Sequence, residues 1–189
     1  SSLIGKPLLK QFGLSFDESK AVYVQNPQSE EHTMLRQTLI VNMLQAVKLN
    51  SDNGQKNVWL YEIGKTYFVE REATLQDGGV RETQMISGVM TGESNPNLWK
   101  QTEKVDFYTL KGMLMGLFDM LGISNRIRIS PIDSSEYLHP GKSAKVELLG
   151  KPQITLGYFG EIYPILKDKM KINQNIYLFE LNFGKLINA

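Results

Sequence analysis

The chain contains 189 residues, of which 41% are hydrophobic and 22% are charged, with a net charge of +1 and no cysteine. This length supports one domain with its own core, and the missing cysteines exclude a disulfide framework and a cysteine-ligated zinc site. The nearly balanced charge argues against a dedicated nucleic-acid surface, and no apolar run is long enough to span a membrane, so we expect a cytoplasmic protein.

The first predicted elements are a short helix and a short strand. Pro7 stands where a helix tolerates proline in its first turn and Gly13 where a helix commonly stops, which predicts a helix over residues 5–13. Residues 22–24 (VYV) form a β-prone run. Asn26-Pro27 ends that run, because proline lacks an N–H group and restricts the residue before it.

A helix over residues 31–50 and a strand over residues 58–68 form the predicted scaffold. Apolar residues recur at the spacing of one helix face, and Asn53-Gly54 closes the helix. The main members of this stripe are Leu35, Leu39, Met43 and Val47. The strand that follows (VWLYEIGKTYF) is apolar on both faces, which predicts that other elements cover it on both sides.

The second half of the chain predicts mainly strands. A charged loop at 70–80 leads to an antiparallel partner strand at 82–92, and Asp106 caps a second long helix over residues 106–121. The remaining elements are a strand at 126–130, a hairpin of 143–150 and 153–162, a helix at 164–170 and a strand at 175–183. Because strands outnumber helices and most connections are antiparallel, the predicted fold class is α+β.

Two local patterns suggest a site without supporting one. Gly141-Lys142-Ser143 matches the end of a phosphate-binding loop, but Glu136 stands where that loop needs glycine and Pro140 removes an N–H group. His32 and His139 lie far apart with no cysteine to join them, so we expect capping or packing roles for both. These patterns predict no catalytic, cofactor-binding or metal-binding residue.

Five stretches follow one another in a fixed order between residues 26 and 164. They are residues 26–47 (NPQSEEHTMLRQTLIVNMLQAV), 60–68 (LYEIGKTYF), 105–112 (VDFYTLKG), 138–144 (LHPGKSA) and 156–164 (LGYFGEIYP). Together they resemble the catalytic-like module of the β subunit of bacterial phenylalanyl-tRNA synthetases. The resemblance implies a class II aminoacyl-tRNA synthetase-like antiparallel sheet flanked by helices. It also implies that residues 1–189 are a single pseudo-catalytic domain and a fragment of a larger β subunit.

The resemblance implies a parent complex, a heterotetramer of two α and two β subunits. Its catalytic α subunit attaches phenylalanine to tRNA with ATP and magnesium. The α subunit is similar in outline to this module, and class II active sites hold ATP with arginine, whose planar fork grips phosphate in two places. In this chain, Phe68 stands where the motif 2 arginine belongs, and Thr91 stands where a glutamate precedes glycine.

The third class II motif is also altered. Glu180 and Asn182 replace glycines that let the backbone approach ATP, Lys185 replaces an arginine, and no arginine follows Arg128. The resemblance therefore implies that this fragment has no catalytic, cofactor-binding or metal site of its own and is inactive alone. Arg71 and Arg81, expected in a loop, are predicted to be solvated charges, with contact to phosphate or RNA as the alternative.

The resemblance assigns no role to His139, Arg36 or Glu62, and it is imperfect at Tyr163. His139, with the Pro140-Gly141 pair, is expected to form a rigid turn that holds the hairpin. Arg36 and Glu62 lie in apolar surroundings, and buried charges must be paired, so we predict that they pair with each other or with backbone. Tyr163 departs from the family pattern, which commonly has histidine before the equivalent of Pro164.

The leading hypothesis is a non-catalytic module that supports assembly with the α subunit. The helices at 31–50 and 106–121 are candidates to bury an apolar face against a partner or against the sheet, and Gly112 and Gly116 would let another element approach closely. The alternatives are a free-standing class II synthetase-like enzyme that forms an adenylate, and an RNA-binding module. Pyrophosphate exchange and tRNA filter binding, respectively, would test them.

Overall fold

The computed structural model describes residues 1–70, 79–94, 103–132 and 135–189. Its main feature is a six-stranded, fully antiparallel sheet with the strand order β3-β4-β8-β7-β6-β5. These strands are β3 (Val58–Val69), β4 (Val80–Thr91), β5 (Ile127–Pro131), β6 (Leu138–Leu148), β7 (Ile154–Ile162) and β8 (Ile176–Asn182). The last strand of the chain therefore lies in the middle of the sheet, and β3 and β5 form its two edges.

Helices cover both faces of this sheet, which confirms the predicted α+β class with an antiparallel sheet. The front face packs against α1 (Lys6–Phe12), α2 (Ile40–Asp52) and α4 (Pro164–Met170), whereas the back face packs against α3 (Phe107–Met120) and α5 (Phe183–Ile187). Side chains of β8 alternate between the two cores, because successive residues of a strand point to opposite faces. Ile176 and Leu178 enter the front core, and Tyr177 and Phe179 enter the back core.

The predicted helix ends at Gly13 and at Asp106 are confirmed. Gly13 follows α1 with φ of 65°, a left-handed conformation that glycine adopts without steric cost. The Asp106 side chain accepts the backbone N–H of Thr109, and the Thr109 hydroxyl accepts the backbone N–H of Asp106. These two hydrogen bonds form a capping box. The hairpin of β6 and β7 and the helix that begins at Pro164 are confirmed as well.

The predicted helix over 31–50 is wrong for its first nine residues, because α2 begins only at Ile40. Before it lie a 3-10 turn (Glu30–His32) and a short strand, β2 (Met34–Leu35), which pairs with β1 (Leu3–Ile4). The backbone N–H groups that an earlier helix would use have other acceptors: Thr33 donates to Ile4, and Leu35 donates to Val22. The strand predicted at 22–24 shrinks to one bridge between Tyr23 and Met34.

The prediction that β3 is covered on both sides is wrong. This strand is an edge strand, and Trp59, Tyr61 and Ile63 on its back face are 45%, 75% and 44% exposed. An apolar, aromatic-rich composition is common to central strands and to edge strands that a partner covers, so composition could not separate the two. The described residues contain no helix long and apolar enough to cross a membrane.

Candidate functional site

The centre of the front face holds the Glu180 carboxylate, which performs a structural task. Its Oε1 accepts hydrogen bonds from the backbone N–H of Leu39, at 2.7 Å, and from the Thr38 hydroxyl, at 2.9 Å. Leu39 is the N-cap of α2, so the carboxylate lies at the positive end of the helix dipole. Burial nonetheless raises the pKa of the Glu180 carboxyl above its ordinary value, because desolvation disfavours its charged form.

Arg36 and Glu62 were predicted to pair with each other or with backbone, and Arg36 does both. The Nη2 atom of Arg36 lies 2.7 Å from Oε1 of Glu62, and only 3% of the Arg36 side chain is exposed. Its other nitrogen atoms donate to the Lys65 carbonyl at 3.0 Å and to Oδ1 of Asn42 at 3.1 Å. The guanidinium lies directly over Gly64, where an added Cβ would come within 2.2 Å of Nη2. This arginine therefore holds the segment before α2 to strand β3.

Phe68 lies on the front face at the far end of β3, opposite Arg81. The Arg81 guanidinium stacks 5.3 Å from the centre of the Phe68 ring and pairs with Glu70, with Nε 2.9 Å from Oε2. Arg81 was expected in a loop, but it lies in β4, and its side chain is half-exposed. Arg71 lies outside the described residues. The one described guanidinium beside Phe68 is thus already shared between a carboxylate and an aromatic ring.

Thr91 occupies the opposite end of the same pair of strands. It is buried, pairs in register with Val58, and its hydroxyl donates to the Asn175 carbonyl at 2.8 Å. Phe68 pairs with Arg81, ten residues away along each strand, which corresponds to roughly 33 Å at about 3.3 Å per residue. The structure therefore does not bring the Phe68 and Thr91 positions together.

Asn182 and Lys185 are engaged in starting helix α5. The Asn182 side chain accepts the backbone N–H of Lys185 at 2.8 Å, which caps the helix, and the Lys185 side chain is exposed. The Asn182 side-chain oxygen is therefore already bound within the chain.

Sequence reasoning missed a second polar cluster, on the back face. Glu161 is 4% exposed, and its Oε2 accepts from Lys142 Nζ at 2.8 Å and from the Tyr177 hydroxyl at 3.2 Å. This bond to Glu161 raises the pKa of Lys142, and burial raises the pKa of Tyr177. The only signal for it was a glutamate inside the otherwise apolar run of 154–162. The lysine that resembled part of a phosphate loop is therefore an ion-pair partner.

The two histidines have local roles. Nδ1 of His139 accepts the backbone N–H of Gly141 at 3.0 Å. The expected rigid turn is wrong in form, because these residues lie inside β6, where the pairing register with β7 shifts between Leu138 and Ser143. The segment is an irregular, bulged part of a strand. His32 is exposed, and its Nδ1 lies 3.2 Å from the Ser29 hydroxyl.

Two apolar surfaces remain uncovered among the described residues. The first is the back face of β3, with Trp59, Tyr61 and Ile63. The second is the outer side of α3, where Tyr108 is 73% exposed and Met120 is 87% exposed. Between these two residues, Gly112 and Gly116 face open space, so this side of the helix presents a shallow surface.

Comparison with known proteins gives a consistent match. Residues 1–183 match the family model described as "Phenylalanyl tRNA synthetase beta chain CLM domain". The chain is 37% identical over 164 residues to the phenylalanine–tRNA ligase beta subunit of Geobacillus kaustophilus, covering 86% of this chain and 19% of that protein. It is 34% identical over 189 residues to the phenylalanine–tRNA ligase beta subunit of Bacillus cereus, covering 100% of this chain and 22% of that protein. The chain thus spans about a fifth of the length of these relatives.

Proposed function

The chain belongs to the phenylalanyl-tRNA synthetase β-chain family, and we propose that it is a non-catalytic, synthetase-like module that supports assembly with the catalytic α subunit. In this proposal, residues 1–189 form one pseudo-catalytic domain with a class II synthetase-like fold, as a fragment of a larger β subunit. The parent complex is a cytoplasmic heterotetramer of two α and two β subunits. It attaches phenylalanine to tRNA with ATP and magnesium, which the α subunit binds.

The observation that carries the proposal is that Glu180 binds the start of helix α2. A class II enzyme holds ATP with arginine side chains, which attract phosphate. In this chain three helices fill the front face of the sheet, and the Glu180 carboxyl group from the central strand caps one of them. Because the oxygen that binds Leu39 and Thr38 is a hydrogen-bond acceptor, Glu180 offers no donor to a phosphate group.

The uncovered apolar surfaces support the assembly part of the proposal. Helix α2 uses its apolar stripe against the sheet, since Ile40, Leu44 and Val47 are all buried. The same is true of the inner side of α3, so these stripes are not available to another subunit. The back face of β3 and the outer side of α3 remain, and contiguous exposed apolar side chains commonly mark protein interfaces.

One experiment on the full-length β subunit, combined with the α subunit, tests the non-catalytic claim. Arg81→Met and Lys185→Met together remove one cation from the strand that pairs with Phe68 and one from the altered third motif, and both side chains are exposed, so the fold should tolerate the changes. Aminoacylation and pyrophosphate exchange should stay within about twofold of wild type, as with a Lys10→Met control. A loss of about a hundredfold would show that the module contributes charge to the reaction.

A second measurement on the same complex tests assembly. Tyr61→Glu places a charge on the 75% exposed position of β3, whereas the control Ile165→Glu places one on a 53% exposed position of α4 at the front. We expect the first change to weaken association of α with β by at least about tenfold in sedimentation, because a buried charge without a partner is costly. Equal association of both variants would refute a docking role for β3.

A further inference from the structure

The pair Asn53-Gly54 directly follows helix α2 and is the only Asn-Gly pair in the sequence. Asn53 is the C-cap of the helix, and its Nδ2 atom donates to the Leu49 carbonyl at 2.8 Å. Gly54 has φ of 79°, and its N–H donates to the Ser51 carbonyl at 3.0 Å. The pair therefore ends the helix through hydrogen bonds of both a side chain and the backbone.

The same pair places a nucleophile beside an electrophile. Once the backbone nitrogen of Gly54 loses its proton, it can attack the Cγ atom of the Asn53 side-chain amide and close a succinimide ring. A side chain on the second residue would crowd that approach, and glycine has none. An added Cβ on Gly54 would meet no heavy atom within 4 Å, so no neighbouring element blocks the approach either.

Only the last helical turn holds the pair in place. Every residue from 52 to 57 is exposed. Besides the bonds of Asn53 and Gly54, the turn is closed by the N–H of Gln55, which donates to the Asn50 carbonyl at 2.9 Å. Exposed turns at the end of a helix open locally at a much smaller free-energy cost than global unfolding. Such opening frees both reacting groups from their carbonyl partners.

Asn50, one turn earlier, provides an internal comparison. Its Nδ2 donates to the Ala46 carbonyl at 2.8 Å, a bond of the same form as that of Asn53. However, Asn50 lies inside α2, is half-buried and is followed by Ser51, which has a side chain. Reaction at Asn50 requires a further turn of the helix to unwind, so the structure favours Asn53.

We propose that Asn53-Gly54 is a site of covalent modification, at which water deamidates Asn53 through a succinimide. A water or hydroxide base takes the proton of the Gly54 N–H, the N–Cγ bond forms and the Cγ–Nδ2 bond breaks. The Nδ2 nitrogen takes a proton from water and leaves as ammonia. Water then opens the ring at either carbonyl, which gives aspartate or isoaspartate in place of Asn53. The net reaction consumes water and releases ammonia, with no oxidation or reduction.

The product weakens the end of α2. A carboxylate cannot donate to the Leu49 carbonyl. Its charge lies at the negative end of the helix dipole, next to Asp52, whose carboxylate already pairs with Lys48. In the isoaspartate product the main chain also passes through the former side chain, which lengthens the connection between α2 and β3 by a methylene group. Both products therefore loosen the last turn of α2.

Mass spectrometry of the full-length β subunit in complex with α tests the inference. After incubation at mildly alkaline pH and proteolysis, we expect the amide of Asn53 to be replaced by aspartate and isoaspartate at least about tenfold faster than that of Asn50. The rate should rise with pH, because the Gly54 N–H must lose its proton. Equal rates at the two asparagines, or aspartate without isoaspartate, would overturn the inference.

Two variants and a denatured control test the route. Gly54→Ala adds only a Cβ and should slow the reaction by at least about tenfold, and Asn53→Gln, whose longer side chain disfavours the ring, should give no product at this position. Because alanine is strained at φ of 79°, the rates are also compared in urea, where the fold has no influence. Equal rates for Gly54→Ala and wild type in urea would exclude the succinimide route. A wild-type rate more than about a hundredfold slower in the folded protein than in urea would show that the turn stays closed and would overturn the inference.

Asn53→Asp reproduces one product and tests its effect on the helix. Hydrogen exchange at the Gly54 and Gln55 amides should become about 3- to 10-fold faster than in wild type, the effect of one lost hydrogen bond. Asn53→Ala loses the same bond without adding a charge, so its exchange rates should lie between the two. Unchanged exchange in Asn53→Asp would refute the loosening of α2.

Discussion

Replacing Arg36 with methionine tests whether the ion pair with Glu62 holds the front of the molecule together. Methionine keeps most of the aliphatic volume but removes every donor. The structure then loses the 2.7 Å contact with Glu62 and leaves the acceptors of Lys65 and Asn42 without this partner. Breaking a buried pair by removing one member costs about 3–5 kcal/mol.

The expected magnitude lies at the lower end of that range. The Glu62 side chain is 32% exposed, so water can solvate much of its carboxylate once Arg36 is gone. We therefore expect the free energy of unfolding to fall by about 3 kcal/mol. Urea denaturation followed by circular dichroism measures this change directly, provided that the slope with denaturant is the same for both proteins.

A double-mutant cycle provides the control. Glu62→Met removes the other partner, and the double variant Arg36→Met with Glu62→Met removes the pair without leaving an unpaired charge. The double variant should be no less stable than Arg36→Met alone, and the coupling free energy should exceed about 1 kcal/mol. A loss below about 1 kcal/mol for Arg36→Met would show that the guanidinium is replaceable and would refute the reasoning.

Three further predictions concern single positions. Gly64→Ala should destabilise the chain by about 2 kcal/mol, since the new Cβ would come within 2.2 Å of Arg36. Gly112→Ala should instead stabilise it by about 0.5–1 kcal/mol, because this helix position faces open space. Equal effects of the two variants in urea denaturation would contradict this prediction. Because the pKa of Glu180 in the folded protein is raised above 4.5, the contribution of Glu180 to stability is present below that pH and declines as pH rises. Glu180→Gln should therefore lose stability less steeply than wild type between pH 4.5 and 8. Identical slopes for the two proteins would argue against this prediction. Asp106→Ala should lower the free energy of unfolding by about 1 kcal/mol at pH 7, as measured by thermal unfolding. The helix N–H group that the Asp106 carboxylate accepts lowers its pKa below 3.8, so the stability difference between variant and wild type should shrink as pH falls through that region. A difference that stays constant with pH would rule out this cap.

Local signals predicted local structure well. Asp106 directly precedes α3 and Gly122 lies two residues after its end, because helix caps and left-handed glycines are decided by nearby atoms. The Arg36–Glu62 pair was predictable for a different reason, since a buried charge requires a partner. In both cases the sequence contained the physical requirement itself.

The errors arose where distant segments decide the outcome. Leu35 continues the apolar period of α2, but the backbone around it pairs with residues near the start of the chain, and periodicity carries no record of that competition. The bond between Glu180 and Leu39 joins positions 141 residues apart, so no local pattern announced it. The exposure of β3 depends on its place at the edge, which only the strand order reveals.

The central place of β8 has a consequence for how the protein is made. On the ribosome, β3 and β4 emerge early, yet the neighbour that β4 requires is the final strand, and the cap of α2 is also carried by that strand. The nascent chain must therefore keep a hairpin with an unpaired side in solution until almost all of the module has been translated. A stop codon shortly before Ile176 would spare most of the module but would take away the middle of its sheet, so such truncations should yield chains that chaperones and proteases capture.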